Sequence, residues 1–431
     1  MSKTKHNNIP QLRFAEFKGN WDLKKLGQVG NFLGGGTPST KNPDYWSGKL
    51  PWISSSDLSD QDMFNINIHR YISEKAVKQS ATKIIPPKSI LIVSRVGVGK
   101  IAINDRQLCT SQDFTNLVPT KGAYLFLAYL IKIKTSELLG FNQGTSIKGF
   151  VKNDLETLKI EVPSKPEQQK IADFLSSVDK KIQQLTRKKK LLEQYKKGVM
   201  QKIFSQEIRF KPALSEVDGG ENGKGYPDWE EKRLGDILTF ISTNSFSRND
   251  LNYENGELKN IHYGDIHTKF KMGFDFKKEK VPFINKEINL EKVTKEQFCQ
   301  VGDIVVADAS EDYKDIGKTI EILNIENEKI LAGLHTFLAR DVNQQTLVGF
   351  KGYLFQTWNV RKQIMRMAQG ISVLGISKKN LLKVRFLLPC KDEQYKIADI
   401  LKSIDRKIEG MDTQLNQTQQ FKKGLLQQMF V

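Results

Sequence analysis

Cysteine and histidine are both rare in this sequence of 431 residues, which contains three cysteines and five histidines. Cys109, Cys299 and Cys390 are far apart along the chain, so they offer neither a disulfide framework nor a zinc cluster. His262 and His267 are too few to hold zinc by themselves. We therefore expect no metal site, and we expect one of these two histidines to hydrogen-bond within its own domain.

Long hydrophobic runs are absent as well. The longest run, Ala123 to Ile131, is too short to cross a bilayer. The first ten residues, MSKTKHNNIP, are polar and do not have the pattern of a signal peptide. These features predict a cytoplasmic protein that does not associate with a membrane.

Negative charge is in short supply relative to positive charge. The chain has 67 Lys and Arg residues against 49 Asp and Glu residues, a formal net charge of +18. Its hydrophobic fraction of 39% is ordinary for a globular protein, and its length allows two or three domains. Such an excess of basic residues indicates a polyanionic partner, and nucleic acid is the first candidate.

One stretch of the chain occurs twice. Residues 163–205 and 389–431 align without a gap at a constant shift of 226 positions. The identical pairs include Glu167/Glu393, Gln168/Gln394, Ile171/Ile397, Ala172/Ala398, Asp179/Asp405 and Gly198/Gly424. In the first copy, a proline and an acidic residue, Pro166 and Glu167, suit the first turn of a helix.

Apolar residues in both copies recur mostly in alternating steps of four and three, which predicts two helices with a coiled-coil seam. The residues expected to pair the helices are Ile171, Leu175, Val178, Ile182 and Leu185 in the first copy and Ile397, Leu401, Ile404, Ile408 and Met411 in the second. The spacing continues to Tyr195 and to Phe421. Each helix would be about 60 Å long. The two copies can pair within one chain, which we favour, or form a coiled coil between two chains.

A second repeat precedes each helix. Trp21 is followed by Lys-Lys-Leu-Gly, and Trp229 by Lys-Arg-Leu-Gly, at a shift of 208 positions. Each half of the chain therefore has a shared opening segment, a variable stretch that we call the body, and a shared helix. Gly and acidic residues between Arg209 and Asp228 indicate a flexible linker.

The two bodies resemble each other only near their ends. Gly144-x-Ser146-x-x-Gly149 corresponds to Gly370-x-Ser372-x-x-Gly375, and alternating apolar residues then predict a strand before each helix. We also predict buried strands at 89–93 and 302–306 and a helix over 347–368. Short strands mixed with helices indicate an α+β fold.

This layout resembles the specificity subunit of type I restriction-modification systems over essentially the whole chain. The resemblance depends on the helix starts at 167–181 and 393–407, on the two Trp segments that end in Leu-Gly, and on GGGTPST followed by Pro51-Trp52-Ile53. It implies two α/β target-recognition domains separated by two long antiparallel coiled-coil helices, with an internal pseudo-twofold repeat. The expected ranges are 1–162 and 226–388 for the recognition domains, 163–208 and 389–431 for the helices, and 209–225 for the linker.

The resemblance also implies partners. Two methyltransferase (modification) subunits would grip the scaffold, and restriction/translocase subunits would join for cleavage. Double-stranded DNA would be read by the two bodies as two half-sites at a fixed separation set by the helices. Because the bodies differ in sequence, we predict an asymmetric, bipartite target.

Candidate DNA contacts are hydroxyl and basic residues on loops or in basic stretches, where they can reach phosphates or base edges. They are Thr37, Ser39, Lys41, Arg95, Lys100, Ser146, Lys148, Lys269, Lys271, Arg361, Arg366 and Ser372. Several of them can equally be parts of plain loops. The basic run 187–190 can be a DNA contact, a partner contact or a solvated helix face.

Three motifs resemble catalytic or ligand sites but are incomplete. The stretch 42–45, Asn-Pro-Asp-Tyr, departs from the Asn-Pro-Pro-Tyr motif of amino-methyltransferases and favours a turn. The stretch 97–100, Gly-Val-Gly-Lys, lacks the spacing of a P-loop and favours a turn between strands. The acidic residues Asp308, Glu311, Asp312 and Asp315 favour a solvated loop.

We therefore expect a non-catalytic DNA reader without a cofactor. Two alternatives remain open from the sequence. The first is a self-contained DNA adenine methyltransferase, and the second is a coiled-coil scaffold without sequence preference.

Overall fold

The structure is a computed structural model that describes residues 9–141, 149–212 and 225–431. Across these ranges, the helices are too short or too polar to cross a membrane. The chain divides into two compact units, one formed by residues 1–189 and 411–431 and the other by residues 190–410. Both divisions fall inside a long helix, so each unit contains a segment of both helices.

The first unit contains two mixed or antiparallel sheets and a two-stranded ribbon. Its strands are Asp22–Lys25 (β1), Gly30–Gly34 (β2), Leu50–Ile53 (β3), Arg70–Ile72 (β4), Ile90–Ile92 (β5), Ile101–Ile103 (β6), Cys109–Thr110 (β7), Thr115–Pro119 (β8) and Lys159–Val162 (β9). One sheet has the order β2-β8-β5-β6 and is antiparallel. The other has the order β4-β3-β7, and β3 and β7 run parallel.

The helices of the first unit include one that packs against the first sheet. They are Glu74–Gln79 (α1), Tyr124–Phe141 (α2), Lys152–Thr157 (α3) and the long helix Lys165–Phe204 (α4). Phe126 and Leu130 of α2 are buried in one hydrophobic core with Ile90 and Ile92 of β5. The predicted buried strand at 89–93 is therefore confirmed as β5.

The second unit has a larger body. Its strands are Glu230–Arg233 (β10), Thr239–Ile241 (β11), Leu251–Asn252 (β12), Lys259–Ile261 (β13), Gly273–Asp275 (β14), Phe283–Ile284 (β15), Ile304–Ala307 (β16), Ala309–Ser310 (β17), Thr319–Asn324 (β18), Ile330–Ala332 (β19), Thr336–Arg340 (β20), Leu374–Gly375 (β21) and Arg385–Leu388 (β22). The sheet orders are β11-β20-β16-β18-β14 and β12-β15-β13-β19. The predicted buried strand at 302–306 corresponds to β16, whose four residues are all buried.

The helices of the second unit are short except for the last. They are Leu234–Ile237 (α5), Tyr263–Thr268 (α6), Lys351–Gln356 (α7), Trp358–Met367 (α8), Lys378–Leu381 (α9) and Lys391–Gln428 (α10). The prediction of one helix over 347–368 was wrong, because the helix breaks at Thr357. The backbone of Thr357 is extended, and its side chain accepts a hydrogen bond from Val360 N, which caps α8.

The same two-stranded ribbon closes each body next to its helix. β1 pairs with β9 so that Asp22 lies opposite Val162, and β10 pairs with β22 so that Glu230 lies opposite Leu388. These pairings have the register expected from the shifts of 208 and 226 positions. The two predicted strands before the helices are therefore confirmed.

The helix segments run antiparallel within each unit. In the first unit Asp179 of α4 contacts Lys422 of α10, and the later α4 residue Lys189 contacts the earlier α10 residue Asp412. In the second unit, Met200 and Ile203 near the end of α4 share a hydrophobic core with Ile397, Leu401 and Ile404 near the start of α10.

Candidate nucleic-acid interface

A buried carboxylate at the start of α4 fixes the helix to the body of the first unit. Glu167 is 1% exposed and accepts hydrogen bonds from Arg13, with its Nε at 2.7 Å and its Nη2 at 2.8 Å. It also accepts one from Trp21 Nε1 at 3.3 Å. The hydrogen bond from Arg13 to Glu167 raises the pKa of the Arg13 guanidinium, which binds the carboxylate in a bidentate manner.

The second unit contains the same arrangement. Glu393 at the start of α10 is 1% exposed and accepts hydrogen bonds from Arg209 Nη2 and Trp229 Nε1, both at 2.8 Å. Arg209 also donates to Pro227 O at 2.7 Å. The two tryptophans of the opening segments thus bind the two glutamates of the repeated helices. The arginines were not predicted from the sequence.

The glutamine that follows each glutamate joins the helix to the body by backbone contacts. Gln168 donates to Pro163 O at 2.8 Å and accepts from Ala123 N at 3.0 Å. Gln394 donates to Pro389 O and accepts from Leu347 N, both at 2.9 Å. In both units, therefore, the glutamine binds the segment just before a body helix, which is α2 in the first unit and α7 in the second.

An aspartate further along each helix, buried in the first unit and partly exposed in the second, carries a second shared contact. Tyr129 of α2 donates to Asp179 of α4 at 2.6 Å, and Lys422 of α10 pairs with the same carboxylate. In the second unit, Tyr353 donates to Asp405 at 2.7 Å, and Lys196 of α4 contacts it at 2.7 Å. Burial raises the pKa of both phenols well above the usual range, so the tyrosines are neutral donors.

The predicted helix-pairing residues mostly lie in these cores. Ile171, Leu175, Val178, Leu185, Ile397, Leu401 and Ile404 are buried, whereas Ile182, Ile408 and Met411 are partly exposed. In the first unit, Ile171 and Leu175 share a core with Leu425 and Met429 of α10. The residues that continue the apolar spacing, Tyr195 and Phe421, are instead 58% and 53% exposed.

The predicted loop at 34–41 lies at the edge of the first body. Gly35 has no space for a side chain, because an added Cβ would lie 1.9 Å from Ser111 O. Thr37 is exposed and donates to Gln112, and the carbonyl of Ser39 accepts from Trp46 Nε1 at 3.2 Å. Ser39 and Lys41 have exposed side chains. The loop is therefore fixed by its backbone, and it presents hydroxyl and ammonium groups to solvent.

Two further predicted contacts lie on the turn between β5 and β6. The turn requires positive φ angles at Gly97 and Gly99, as predicted for a tight connection between strands. Arg95 is exposed on this turn. Lys100 is partly buried and donates to the carbonyl oxygen of Leu58 at 3.1 Å.

The turn also meets the end of the first G-x-S-x-x-G element. Phe150 N donates to Ser94 O at 2.9 Å, next to Arg95. The predicted residues Ser146 and Lys148 lie outside the described residues. In the second unit, Ile376 N donates in the same way to Asp308 O at 2.9 Å. Both elements therefore return to the body beside the end of a central strand.

The predicted basic residues of the second body differ in their surroundings. Lys269 contacts Asp265 at 2.9 Å and Tyr253 Oη at 2.7 Å, and Lys271 pairs with Glu409 at 2.9 Å. Arg361 uses its guanidinium within the protein, donating to Gly317 O at 3.0 Å and to Lys314 O at 2.7 Å. Burial lowers the pKa of Arg361. Arg366 and Ser372 are exposed.

Sequence reasoning missed a cluster of aromatic and basic side chains in the same body. Tyr263 packs against the rings of His262, His267 and His335 at centroid distances of 4.6, 6.1 and 5.3 Å. Arg248 pairs with Asp265 at 2.8 Å beside this group. His335 and Arg248 are distant in sequence from the segment 262–267 that holds the other members, so the sequence did not indicate the cluster.

The histidines of this cluster act as hydrogen-bonding groups. Burial, followed by the nearby Arg248 cation, lowers the pKa of His262, whose Nδ1 accepts from Gly264 N at 3.1 Å. His267 Nε2 lies 2.9 Å from Ala309 O, which makes it the donor. The expectation of hydrogen bonding for one of the two is confirmed for both.

The incomplete motifs have structural explanations. Residues 43–46 form one turn of 3₁₀ helix capped by the Asn42 side chain, which accepts from Asp44 N. Within the described ranges, no group of three or more His, Cys, Asp or Glu side chains is arranged to hold a metal ion. Glu311 and Asp312 are exposed on the loop after β17.

A cavity of about 780 Å³ lies in the second unit between the end of α4 and the start of α8. Met200 and Phe204 form part of one wall, and Trp358, which is 67% exposed, forms part of another. Lys197 and Lys362 are among its basic lining residues. The walls come from segments distant in the sequence, so no sequence motif indicated the cavity.

Comparisons with known proteins place this geometry in context. A family model described as the type I restriction modification DNA specificity domain matches residues 18–194 and again residues 226–420. The chain is 37% identical over 246 residues to the type I restriction enzyme MjaIX specificity subunit of Methanocaldococcus jannaschii, covering 56% of each protein. It is 26% identical to the MjaVIII specificity subunit of the same organism, covering 98% of this chain and 95% of that protein. The chain thus spans about half the length of the first relative and nearly all of the second.

Solved structures show the same fold at low sequence identity. The S subunit of a type I restriction-modification system from M. genitalium gives a TM-score of 0.57 at 14% identity, covering 98% of this chain and 99% of that one. A chain from a structure concerned with complex assembly and conformational transition of the type I R-M system gives 0.55 at 17% identity, covering 95% and 96%.

Proposed function

Because this chain belongs to the family of type I restriction modification DNA specificity domains and contains two copies of the domain, we propose that it reads a bipartite DNA target. Each body recognises one half-site. The chain is a reader and scaffold, and it is not the catalyst. Methyl transfer and cleavage belong to partner subunits.

One observation supports two separate readers more than any other. The contacts that join body to helix are the same in both units, namely an Arg–Glu–Trp cluster and a Tyr–Asp–Lys cluster. The bodies attached by them differ in sequence and length, and the second has two additional edge strands, β14 and β12, on sheets whose remaining strands follow the same order as in the first. A common attachment with different bodies fits two half-sites of different sequence.

The remaining parts of the proposal concern the helices and partners. The helices α4 and α10 each contribute to both units, so we propose that they form an antiparallel coiled coil that fixes the spacing of the half-sites. The shared contacts fit a pseudo-twofold repeat, which would offer equivalent surfaces to two modification subunits. Restriction/translocase subunits would join this complex for cleavage, in the cytoplasm.

Affinity would come mainly from basic side chains at phosphates, and specificity from side chains at base edges. Of the predicted contacts, Thr37, Ser39, Lys41, Arg95, Arg366 and Ser372 are exposed and are kept as the first candidates. Lys269 and Lys271 are exposed as well, but they pair with Asp265 and Glu409. The target adenine would be flipped out of the duplex into the active site of the modification subunit.

Methylation mapping tests this function. The chain is co-expressed with its modification subunit in a host without adenine methylation, and the modified adenines are sequenced. We expect a single asymmetric motif with two specified parts and an unspecified gap. A continuous palindrome, or methylation without any motif, would contradict the proposal. Methyl transfer by the purified chain alone would establish the self-contained methyltransferase, which the family relationship does not favour.

A further inference from the structure

The G-x-S-x-x-G element of the second unit presents an isoleucine at the tip of a hairpin. Ile371 has a relative exposure of 102%, the highest among the large hydrophobic residues that the structure describes. Val373, two residues later, is 55% exposed. An isoleucine left in water forgoes the stabilisation that burial would give it. Its position therefore indicates contact with a binding partner.

The hairpin that presents Ile371 is fixed in place. Gln369 and Gly375 exchange two backbone hydrogen bonds of 2.9 and 2.7 Å, and β21 pairs with β17 of the body. Gly370 has a φ of +132°, and a Cβ there would lie 2.0 Å from Val373 O. The next residue after the hairpin, Ile376, is buried. The hairpin therefore keeps the Ile371 side chain exposed to solvent.

The residues around the hairpin suit a nucleic-acid partner. Arg366 at the end of α8 precedes the hairpin, Lys379 follows it, and both are exposed. Ser372 beside the isoleucine is exposed as well and can donate or accept a hydrogen bond at a base edge. An apolar tip that is preceded and followed in the chain by exposed basic residues fits a nucleic-acid groove, where phosphates flank the bases.

Duplex DNA offers apolar surface of two kinds to such a side chain. The 5-methyl group of thymine lies open in the major groove. The faces of the bases become reachable only after unstacking, which costs a few kcal/mol per step. The methyl contact requires no distortion of the duplex, so it is the more favourable contact for a single isoleucine.

We propose that Ile371 contacts the 5-methyl group of one thymine in the half-site read by the second unit, and so helps to specify that base pair. This assignment rests on the proposed function. In the first body, the corresponding position of the motif is Thr145. That half-site would thus be read at this position by a different side chain.

Uracil scanning tests the contact, because uracil differs from thymine only by lacking the methyl group. The full chain in complex with its modification subunit is bound to duplexes carrying the mapped motif, with each thymine of the second half-site replaced in turn. We expect one replacement to weaken binding by about fourfold, the effect of removing one buried methyl group. Ile371→Ala should bind the thymine duplex about as weakly as the wild type binds that uracil duplex, and should no longer distinguish the two.

Val348→Ala is the matched control, since Val348 is a 51% exposed apolar residue of the same unit outside the hairpin. It should keep the full sensitivity to uracil. Undiminished uracil sensitivity in Ile371→Ala, or a wild type insensitive at every thymine, would overturn the contact while leaving the proposed function intact. A rise in 2-aminopurine fluorescence on binding that depends on Ile371 would show that Ile371 unstacks bases, and it would overturn the methyl contact. A complex without any sequence preference would remove the proposed function and this contact together.

Discussion

At the scale of single residues, the buried carboxylates explain why the repeated helices begin as they do. Glu167 and Glu393 are the points at which an arginine and a tryptophan meet each helix. A buried carboxylate is tolerated only when its hydrogen-bonding capacity is used. The identity of the two glutamates in the sequence therefore reflects the same set of donors in both units.

Glu393→Gln should lower the free energy of unfolding by about 1–3 kcal/mol, because it removes the charge that Arg209 neutralises and weakens a charge-assisted hydrogen bond. The measurement is urea denaturation of the full chain. Glu231→Gln is the control, since Glu231 is 60% exposed and pairs with exposed Arg385 at 3.3 Å. Its effect should stay below about 0.5 kcal/mol. Equal effects of the two changes would show that Glu393 does not anchor the helix.

Asp265 gives a prediction that depends on pH. Burial by itself would raise its pKa, but hydrogen bonds and charge from Arg248 and Lys269 outweigh burial and hold the pKa below its ordinary value of 3.8. The ionised carboxylate therefore stabilises the fold above about pH 4, and this contribution disappears as the pH falls through the lowered folded-state pKa.

Asp265→Asn should accordingly cost about 1–3 kcal/mol near pH 7, and the difference from the wild type should shrink below pH 3.8. The comparison is made by denaturation at several pH values, with Asp399→Asn as the control because Asp399 is exposed. A difference that stays constant down to pH 2 would mean that the Asp265 charge does not contribute to stability.

The sequence repeat identified the anchoring acids and glutamines of the helices but not the arginines, because the arginines do not share a constant offset. The glutamates, glutamines and aspartates lie inside the gapless repeat, so a constant shift identifies them. Arg13 lies 8 positions before Trp21, whereas Arg209 lies 20 positions before Trp229. The arginines therefore share a role without sharing an offset, and only the fold brings each to its glutamate.

At the scale of elements, each unit joins one body helix to both long helices through a single aspartate. In the first unit this is Asp179, which binds Tyr129 of α2 and Lys422 of α10. The same polar contact in the second unit uses Asp405. Polar groups of this kind inside a helix interface can fix the register of the helices.

Lys422→Gln should destabilise the first unit by about 2–3 kcal/mol, because it leaves Asp179 buried without its cation. Lys423 next to it is exposed and serves as the matched control, since Lys423→Gln removes the same charge without touching the aspartate. Thermal unfolding followed by circular dichroism measures both. If Lys422→Gln and Lys423→Gln unfold together with the wild type, the contact does not hold the helices.

The long helices also show that apolar periodicity in the sequence does not by itself predict which residues are buried. Tyr195 and Phe421 continue the apolar spacing of α4 and α10, yet both are more than half exposed. Spacing along a helix indicates which residues share a face, but it does not give the length over which a neighbour covers that face. Similarly, the sequence predicts a helical run over 347–368, whereas the cap at Thr357 divides it into two helices.

At the scale of the whole molecule, the two halves share their attachment to the long helices and differ in their bodies. The opening segments, the ribbons β1–β9 and β10–β22 and the helix starts have matching contacts. The bodies between them differ in sequence and length, and the second adds the edge strands β12 and β14 to sheets of otherwise matching order. The sequence showed this division through its two offsets, 208 and 226 positions. It did not give the strand orders, because the pairing partners of short strands depend on contacts between distant segments.

The central claim is that each body reads its own half-site independently of the other. Its most direct test exchanges residues 22–157 for the corresponding stretch of a relative with a different mapped motif, followed by methylation mapping with the same modification subunit. We predict that one half of the motif changes to that of the relative, while the other half and the gap stay the same. A change in both halves, or an unchanged motif in an active complex, would contradict the claim.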